Sequence, residues 1–172
     1  MELGQFQVYT GDGKGKTTAA LGLALRASGA GLKVFIGQFM KSGSSSELVA
    51  LSRLDNVTVE PFGSGLGLLL GRETSPSDVA CAKAGVERLL QILGDYDVVI
   101  ADEINCARMC GLLDEGDLLR LIDARPASTE LVFTGRGATP AILARADLVT
   151  EMRAVKHYYA DKALPARMGI EK

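Results

Sequence analysis

The sequence predicts an α/β domain in which a mainly parallel sheet of six strands lies between two layers of helices. Two observations support this fold class. Apolar runs such as Leu32–Phe39 and Tyr96–Ala101 are typical of strands buried on both faces. Segments with helical spacing of apolar residues separate these runs along the chain, and this alternation favours parallel strands with helical crossovers. Ligands are therefore expected beyond the carboxyl ends of the strands.

Each element follows from a local pattern in the sequence. Alternating or continuous apolar residues predict strands at 5–9, 32–39, 56–62, 96–101, 129–134 and 148–155. Apolar residues at helical spacing predict helices at 17–27, 44–54, 77–93, 114–124 and 139–146. Ser77 or Asp78 is expected to cap the third helix, Asp114 or Asp117 to start the fourth, and Thr139-Pro140 to open the last. Residues 63–76 are interpreted as a loop and the tail from Lys156 as irregular.

Length and composition indicate one globular domain over residues 1–172. Apolar residues make up 47% of the chain and charged residues 23%, which is ordinary for a globular protein. The net charge of −2 argues against nucleic-acid binding. No apolar run is long enough for a membrane span and no signal peptide is recognisable, so a cytoplasmic location is expected. Cys81, Cys106 and Cys110 fit no zinc spacing and are interpreted as buried reduced thiols.

Residues Thr10 to Thr18 have the pattern of a phosphate-binding loop between a strand and a helix. Glycines allow backbone N–H groups to turn toward phosphate oxygens, Lys16 supplies a charge, and Thr17 offers a hydroxyl to a divalent metal. This loop places the fold among P-loop NTPase-like (RecA-like) three-layer αβα domains. The alternative is a glycine-rich turn without a ligand. The candidate ATP-binding residues are Gly11, Asp12, Gly13, Lys14, Gly15, Lys16, Thr17 and Thr18.

A second motif carries carboxylates at the end of a buried strand. Val98 to Ala101 lead directly into Asp102 and Glu103, which predicts a Mg²⁺ site opposite Thr17. A solvated acidic pair at a strand end is the alternative. Lys41 and Arg136 also follow strands. For each of them, two interpretations are equally plausible: contact with a phosphate or carboxylate of a ligand, or exposure to solvent.

The ordered set of motifs resembles the ATP:corrinoid adenosyltransferases of the CobA/BtuR type. The shared segments, which span nearly the whole chain, are 10–20, Gln38-Phe39 with Lys41, Asp102-Glu103-Ile104, 134–137, 146–153, 155–157 and 168–170. The resemblance implies transfer of the 5′-deoxyadenosyl group of ATP to Co(I) of a reduced corrinoid, with release of triphosphate. It implies catalytic roles for Lys16, Thr17 and Glu103, a metal site at Thr17, Asp102 and Glu103, and substrate contacts at Lys41 and Arg136.

The same resemblance implies Mg²⁺ or Mn²⁺ as cofactor, a flavoprotein electron donor and a homodimer. Relatives commonly carry Phe and Trp in the segment that corresponds to 63–73, whereas this chain has no Trp. The preferred corrinoid therefore stays open. A small-molecule kinase or ATPase with the same loop is the alternative function, and it predicts ADP as the product.

Overall fold

The computed structural model describes residues 3–41, 46–64 and 73–170. Six strands form one sheet in the order β3-β2-β4-β5-β1-β6, and every pair of neighbours is parallel. The strands are β1 Phe6–Thr10, β2 Val34–Phe39, β3 Val57–Phe62, β4 Val98–Asp102, β5 Glu130–Thr134 and β6 Leu148–Glu151. The helices are α1 Lys16–Gly29, α2 Ser46–Leu51, α3 Pro76–Ile92, α4 Ile104–Met109, α5 Glu115–Ala124, α6 Pro140–Arg145 and α7 Tyr158–Lys162.

Helices cover both faces of the sheet, which confirms the three-layer α/β architecture. On one face, α1 packs Ala20, Ala24 and Ala27 against alternate residues of β2 and β4. These small side chains let the helix approach the strands closely. On the other face, α3 and α5 bury larger apolar residues against phenylalanines of the sheet. Strands β2 and β4 are buried along their whole length, as their continuous apolar sequences predict.

Several local predictions differ from the structure for identifiable reasons. Ser75, rather than Ser77 or Asp78, caps α3, because its side chain and that of Asp78 form a reciprocal capping box. The six-residue helix α4 was not predicted, since it is too short to show periodicity. The tail contains the short helix α7, and Cys110 is exposed rather than buried. Residues 65–72 of the expected loop lie outside the described residues.

All six strands run in the same direction, so their carboxyl ends lie along one edge of the sheet. Thr10, Phe39, Asp102 and Thr134 are the last residues of β1, β2, β4 and β5. The candidate motifs of the sequence therefore converge at this edge. None of the helices in the described part of the chain has both the length and the apolar character needed to cross a bilayer.

Candidate active site

The loop between β1 and α1 is held in a tight curve against the end of β6. Gly11 and Gly15 have φ of 92° and 121°, which side chains other than glycine rarely adopt. The N–H of Gly13 donates to the carbonyl of Met152 at 2.6 Å. A Cβ at Gly13 would lie 2.7 Å from that same oxygen, so a larger residue would push the loop away. The glycines therefore determine both the conformation of this loop and its close contact with the end of β6.

Lys16 is the first residue of α1, and its ammonium group lies inside the loop. Its Nζ donates to the carbonyls of Gly11 and Gly13, both at 2.7 Å. The residue is only 7% exposed. Burial lowers the pKa of Lys16, and the carboxylate of Glu103 partly offsets this effect. The loop thus surrounds a desolvated positive charge, which suits an incoming polyphosphate.

Thr17 and Asp102 meet beneath the loop. The Thr17 hydroxyl donates to Oδ1 of Asp102 at 2.8 Å, and the Thr134 hydroxyl donates to the same oxygen at 2.7 Å. Asp102 is 1% exposed. The backbone N–H of Glu103 in turn donates to the Thr134 hydroxyl at 2.8 Å. This chain of hydrogen bonds holds the loop, β4 and β5 in one arrangement.

Glu103 has an unusual backbone conformation for its residue type. Its φ of 62° places it in the left-handed region, where it caps the amino end of α4. Its side chain is partly buried and lines the cavity beside Cys106. Burial raises the pKa of the Cys106 thiol to about 12, and the Glu103 carboxylate adds to the effect.

The hydroxyl of Thr17 and the carboxylate of Asp102, which meet at 2.8 Å, are oxygen donors that suit a hard divalent cation such as Mg²⁺, and the Glu103 carboxylate follows Asp102 in sequence. Among the residues described, no three His, Cys, Asp or Glu side chains converge into a closed metal cage. That is consistent with Mg²⁺, which usually keeps several waters and takes ligands from substrate phosphates. The donor set therefore fits a metal that arrives with a nucleotide.

Lys41 lies over the same carboxylate. Its Nζ is 3.4 Å from Oδ2 of Asp102 and 3.3 Å from Oε1 of Glu47. Burial lowers the pKa of Lys41, but the two carboxylates outweigh it, so that the net change is upward. The residue before it, Met40, has a φ of 63°, an uncommon backbone conformation. Lys41 therefore stands at the acidic edge of the site, on the cavity wall.

Arg136 links the end of β5 to the loop. Its Nη2 donates to the carbonyl of Asp12 at 3.4 Å, and its backbone N–H donates to Sγ of Cys106 at 3.2 Å. The preceding Gly135 has a φ of 120° and would place a Cβ 2.9 Å from the backbone nitrogen of Cys106. The exposed guanidinium is thus positioned on the ligand side of the sheet edge.

A cavity of about 870 Å³ opens over the loop. Loop residues 13–18 line it together with Lys41, Glu103 and Arg136. Gly11, Asp12 and the buried Asp102 are not among its lining residues. The sequence-based interpretation missed three sulfur-containing lining residues of α4 and the turn after it, which are Cys106, Met109 and Cys110.

The chain's tail also reaches this cavity, which its sequence pattern did not indicate. His157, Tyr158, Gly169 and Ile170 line the opening. Nζ of Lys14 donates to the hydroxyl of Tyr158 at 2.9 Å and to the carbonyl of Ile170 at 3.2 Å. These contacts join residues more than a hundred positions apart in the chain, so no local periodicity reveals them.

Comparison with known proteins gives a family match over nearly the whole chain. Residues 2–171 match the family described as ATP:corrinoid adenosyltransferase BtuR/CobO/CobP. A corrinoid adenosyltransferase of Pseudomonas aeruginosa is 38% identical over 99% of this chain and 84% of its own length. The corrinoid adenosyltransferase CobA of Salmonella typhimurium is 34% identical over 99% of this chain and 86% of its own length.

Solved structures of low sequence identity share the fold. The RadB recombinase aligns over 91% of this chain and 77% of its own, with a TM-score of 0.59 and 14% identity. ATPases 2 and 3 of EssC from Geobacillus thermodenitrificans align over 98% of this chain but only 36% of their own, with a TM-score of 0.52 and 14% identity. These likenesses bear on the fold alone. With the phosphate loop and the acidic strand end in place, the family match shows that the chain belongs to the ATP:corrinoid adenosyltransferase family.

Proposed function

We propose that this chain transfers the 5′-deoxyadenosyl group of ATP to the cobalt of a reduced corrinoid and releases triphosphate. The observation that carries the proposal is a glycine loop around a buried lysine, beside which the described residues offer no activated nucleophile. Within the described residues, the cavity thiol that lies against a carboxylate is Cys106, and its pKa of about 12 keeps it protonated near neutrality. Nδ1 of His157 already accepts a hydrogen bond from the backbone of Tyr159 at 3.2 Å.

The nucleophile in this reaction is Co(I) of the substrate. Its electron pair forms the cobalt–carbon bond, the bond between C5′ and the bridging oxygen breaks, and the electrons of that bond leave with triphosphate. No proton needs to be removed from the nucleophile, so a general base is unnecessary. The protein has to align two substrates and stabilise the departing charge, and alignment can contribute about 7–11 kcal/mol in favourable cases.

Lys16 and the loop amides are the groups that stabilise this charge. The Lys16 ammonium is enclosed by the loop, and on ATP binding it would turn from the carbonyls of Gly11 and Gly13 to the phosphate oxygens that carry the developing charge. Mg²⁺ at Thr17, Asp102 and Glu103, or Mn²⁺ in its place, would neutralise part of the polyphosphate charge when bound. In this proposal, Lys16, Thr17 and Glu103 act in catalysis, and residues 11–18 hold ATP.

Lys41 and Arg136 are proposed to contact the substrates. Both line the cavity, and both carry a positive charge beyond a strand end. A flavoprotein that reduces cobalt in place and a homodimeric state are further proposals, which rest on the family alone. The same holds for a cytoplasmic location. The single sheet and its two continuous cores support one domain over residues 1–172.

The corrinoid spectrum tests this function directly. The purified chain is mixed with chemically reduced corrinoid, ATP and Mg²⁺ without oxygen, and the absorbance change of an alkylated corrin is followed. We expect a light-sensitive cobalt–carbon bond that forms only with ATP present. A spectrum that stays that of the reduced corrinoid, under conditions in which the chain binds MgATP, would contradict the transfer.

A further inference from the structure

Gln38 is a fully buried polar side chain for which the described residues provide no partner. It is 0% exposed. Neither Oε1 nor Nε2 of its amide makes a hydrogen bond within the described part of the chain. Buried polar groups in folded proteins are nearly always paired, because an unmade hydrogen bond retains the full cost of desolvation. Something outside this structure is therefore expected to complete this amide.

The position of Gln38 in the sheet indicates what that partner is. Gln38 alternates along β2 with Val34 and Ile36, which pack in the core beneath α1, so its side chain is on the same face as α1. Its Cα lies directly opposite that of Asp102 on the neighbouring strand. Adjacent parallel strands are about 4.8 Å apart. The side chains of Gln38 and Asp102 thus leave neighbouring strands at the same level of the sheet.

Asp102 itself does not fill the gap. Its Oδ1 accepts from Thr17 and Thr134, and its Oδ2 faces Lys41. The amide oxygen is an acceptor, and a water whose oxygen is bound to a metal can still donate to it. Mg²⁺ in proteins usually keeps several waters, and residues that hold such outer ligands orient the metal.

We propose that Gln38 is a positioning residue of the nucleotide–metal site, whose amide oxygen accepts a hydrogen bond from a water carried by the Mg²⁺ of MgATP. This inference rests on the proposed function, since it concerns the same loop and the same acidic strand end. The alternative is an ordinary buried water that stays hydrogen-bonded to Gln38 with or without ligand. In that case the effect of a Gln38 substitution on ATP binding would not depend on Mg²⁺.

Calorimetric titration of the full chain with ATP, once with Mg²⁺ and once with EDTA, separates the two cases without any corrinoid. We expect Gln38→Leu to weaken binding of MgATP by roughly tenfold to a hundredfold, the range typical of outer metal contacts. Binding of ATP in EDTA should stay at the wild-type value. An unchanged MgATP affinity, or an equal loss in EDTA, would overturn the proposal.

Gln7 provides a matched control on the same face of the sheet. Its amide is paired, since Oε1 accepts from the hydroxyl of Tyr9 at 2.6 Å and Nε2 donates to Glu130. Gln7→Leu should therefore lower the melting temperature and leave both ATP affinities unchanged. Gln38→Leu, which loses no hydrogen bond within the protein, should not lower the melting temperature. If Gln38→Leu lowered the melting temperature as much as Gln7→Leu, Gln38 would have a structural role and the proposal would be overturned.

Gln38→Met, which is close to glutamine in length and also lacks the acceptor oxygen, covers the case in which the leucine variant does not fold. We expect its MgATP affinity to fall by the same roughly tenfold to hundredfold, with ATP binding in EDTA unchanged. A wild-type MgATP affinity in this variant would contradict the acceptor role. If the wild-type chain fails to bind MgATP at all, the proposed function fails, whereas an insensitive Gln38 variant on a binding-competent wild type refutes only this inference.

Discussion

At the scale of single residues, the site contains a charge, that of Lys16, at a position where folding alone would not favour it. Lys16 is buried with its ammonium against two carbonyls, and its pKa is lowered mainly by desolvation. A lowered lysine pKa means that the folded state disfavours the charged form relative to the unfolded chain. Lys16 therefore contributes to ligand binding at some cost to the stability of the free protein.

Replacing Lys16 tests this division of roles. Lys16→Ala should reduce turnover by about a hundredfold to a thousandfold, as is typical when a group that stabilises developing negative charge is lost. The melting temperature should not fall, because the unfavourable buried charge leaves with the side chain. Steady-state rates and thermal unfolding measure both effects. Arg53→Ala removes an exposed positive charge elsewhere and should change neither, and a near-normal rate for Lys16→Ala would be incompatible with its role.

The two thiols on the cavity wall should differ in reactivity. With a pKa of about 12, roughly one Cys106 in ten thousand is thiolate at pH 8. Cys110 is exposed. Iodoacetamide at pH 8 should therefore alkylate Cys110 well before Cys106, and labelling of Cys106 should accelerate as pH rises toward 12. Peptide mass spectrometry over time measures both. Equal labelling of the two residues at pH 8 would refute the buried, protonated state of Cys106.

At the scale of elements, the phosphate-binding loop is held in place by β6, a strand that is distant in sequence but adjacent in the sheet. The Gly13–Met152 hydrogen bond joins the loop to the residue that follows β6. The Thr17–Asp102 bond joins the start of α1 to the end of β4. The loop conformation therefore depends on contacts with the ends of β4 and β6 as well as on its own glycines.

Gly13→Ala should displace this loop. The added Cβ would lie 2.7 Å from the Met152 carbonyl, a contact that only backbone movement relieves. We expect a loss of stability of about 1–3 kcal/mol and weaker MgATP binding. Gly22→Ala in α1 is the matched control, since its Cβ would have nothing within 4 Å. That change should stabilise the helix by about 0.5–1 kcal/mol. Denaturant unfolding measures the change in the free energy of unfolding for both variants. A Gly13→Ala variant as stable as the wild type would contradict the close contact between the loop and Met152.

The elements also show how far the sequence predicts the structure. Strands β2 and β4, the loop and Asp102 followed from local patterns, because burial on both faces and glycine spacing leave clear signals. The hydrogen bond between Thr134 and Asp102 could not be predicted from a local pattern, since it depends on the register between β4 and β5. The tail that reaches Lys14 through Tyr158 was interpreted as irregular, because its contacts are long-range. The roles of the loop residues, of Asp102 and Glu103, and of Lys41 and Arg136 all stay predictions.

At the scale of the whole molecule, one cavity is lined by groups from both halves of the chain. The cavity is lined by the loop near residue 15, by α4 in the middle, and by the tail near residue 170. A nucleotide bound there would stabilise contacts between all three. Binding should therefore raise the stability of the entire fold and not only that of the loop.

Saturating MgATP without corrinoid should accordingly stabilise the protein. At a hundred times its dissociation constant, a ligand specific for the folded state adds about 2.7 kcal/mol. A domain of this size should then melt several degrees higher. Differential scanning calorimetry with and without MgATP measures the shift, and Lys16→Ala should abolish it. A wild-type melting temperature that does not respond would exclude a nucleotide site in the folded chain.

The central claim is that the loop holds the triphosphate of ATP as the leaving group while the 5′-carbon reacts. Phosphorus NMR of a complete reaction with reduced corrinoid tests it most directly, since it distinguishes intact triphosphate from ADP and phosphate. We predict one triphosphate for each adenosylated corrinoid formed. ADP and phosphate in proportion to turnover would contradict the account and indicate γ-phosphoryl transfer instead.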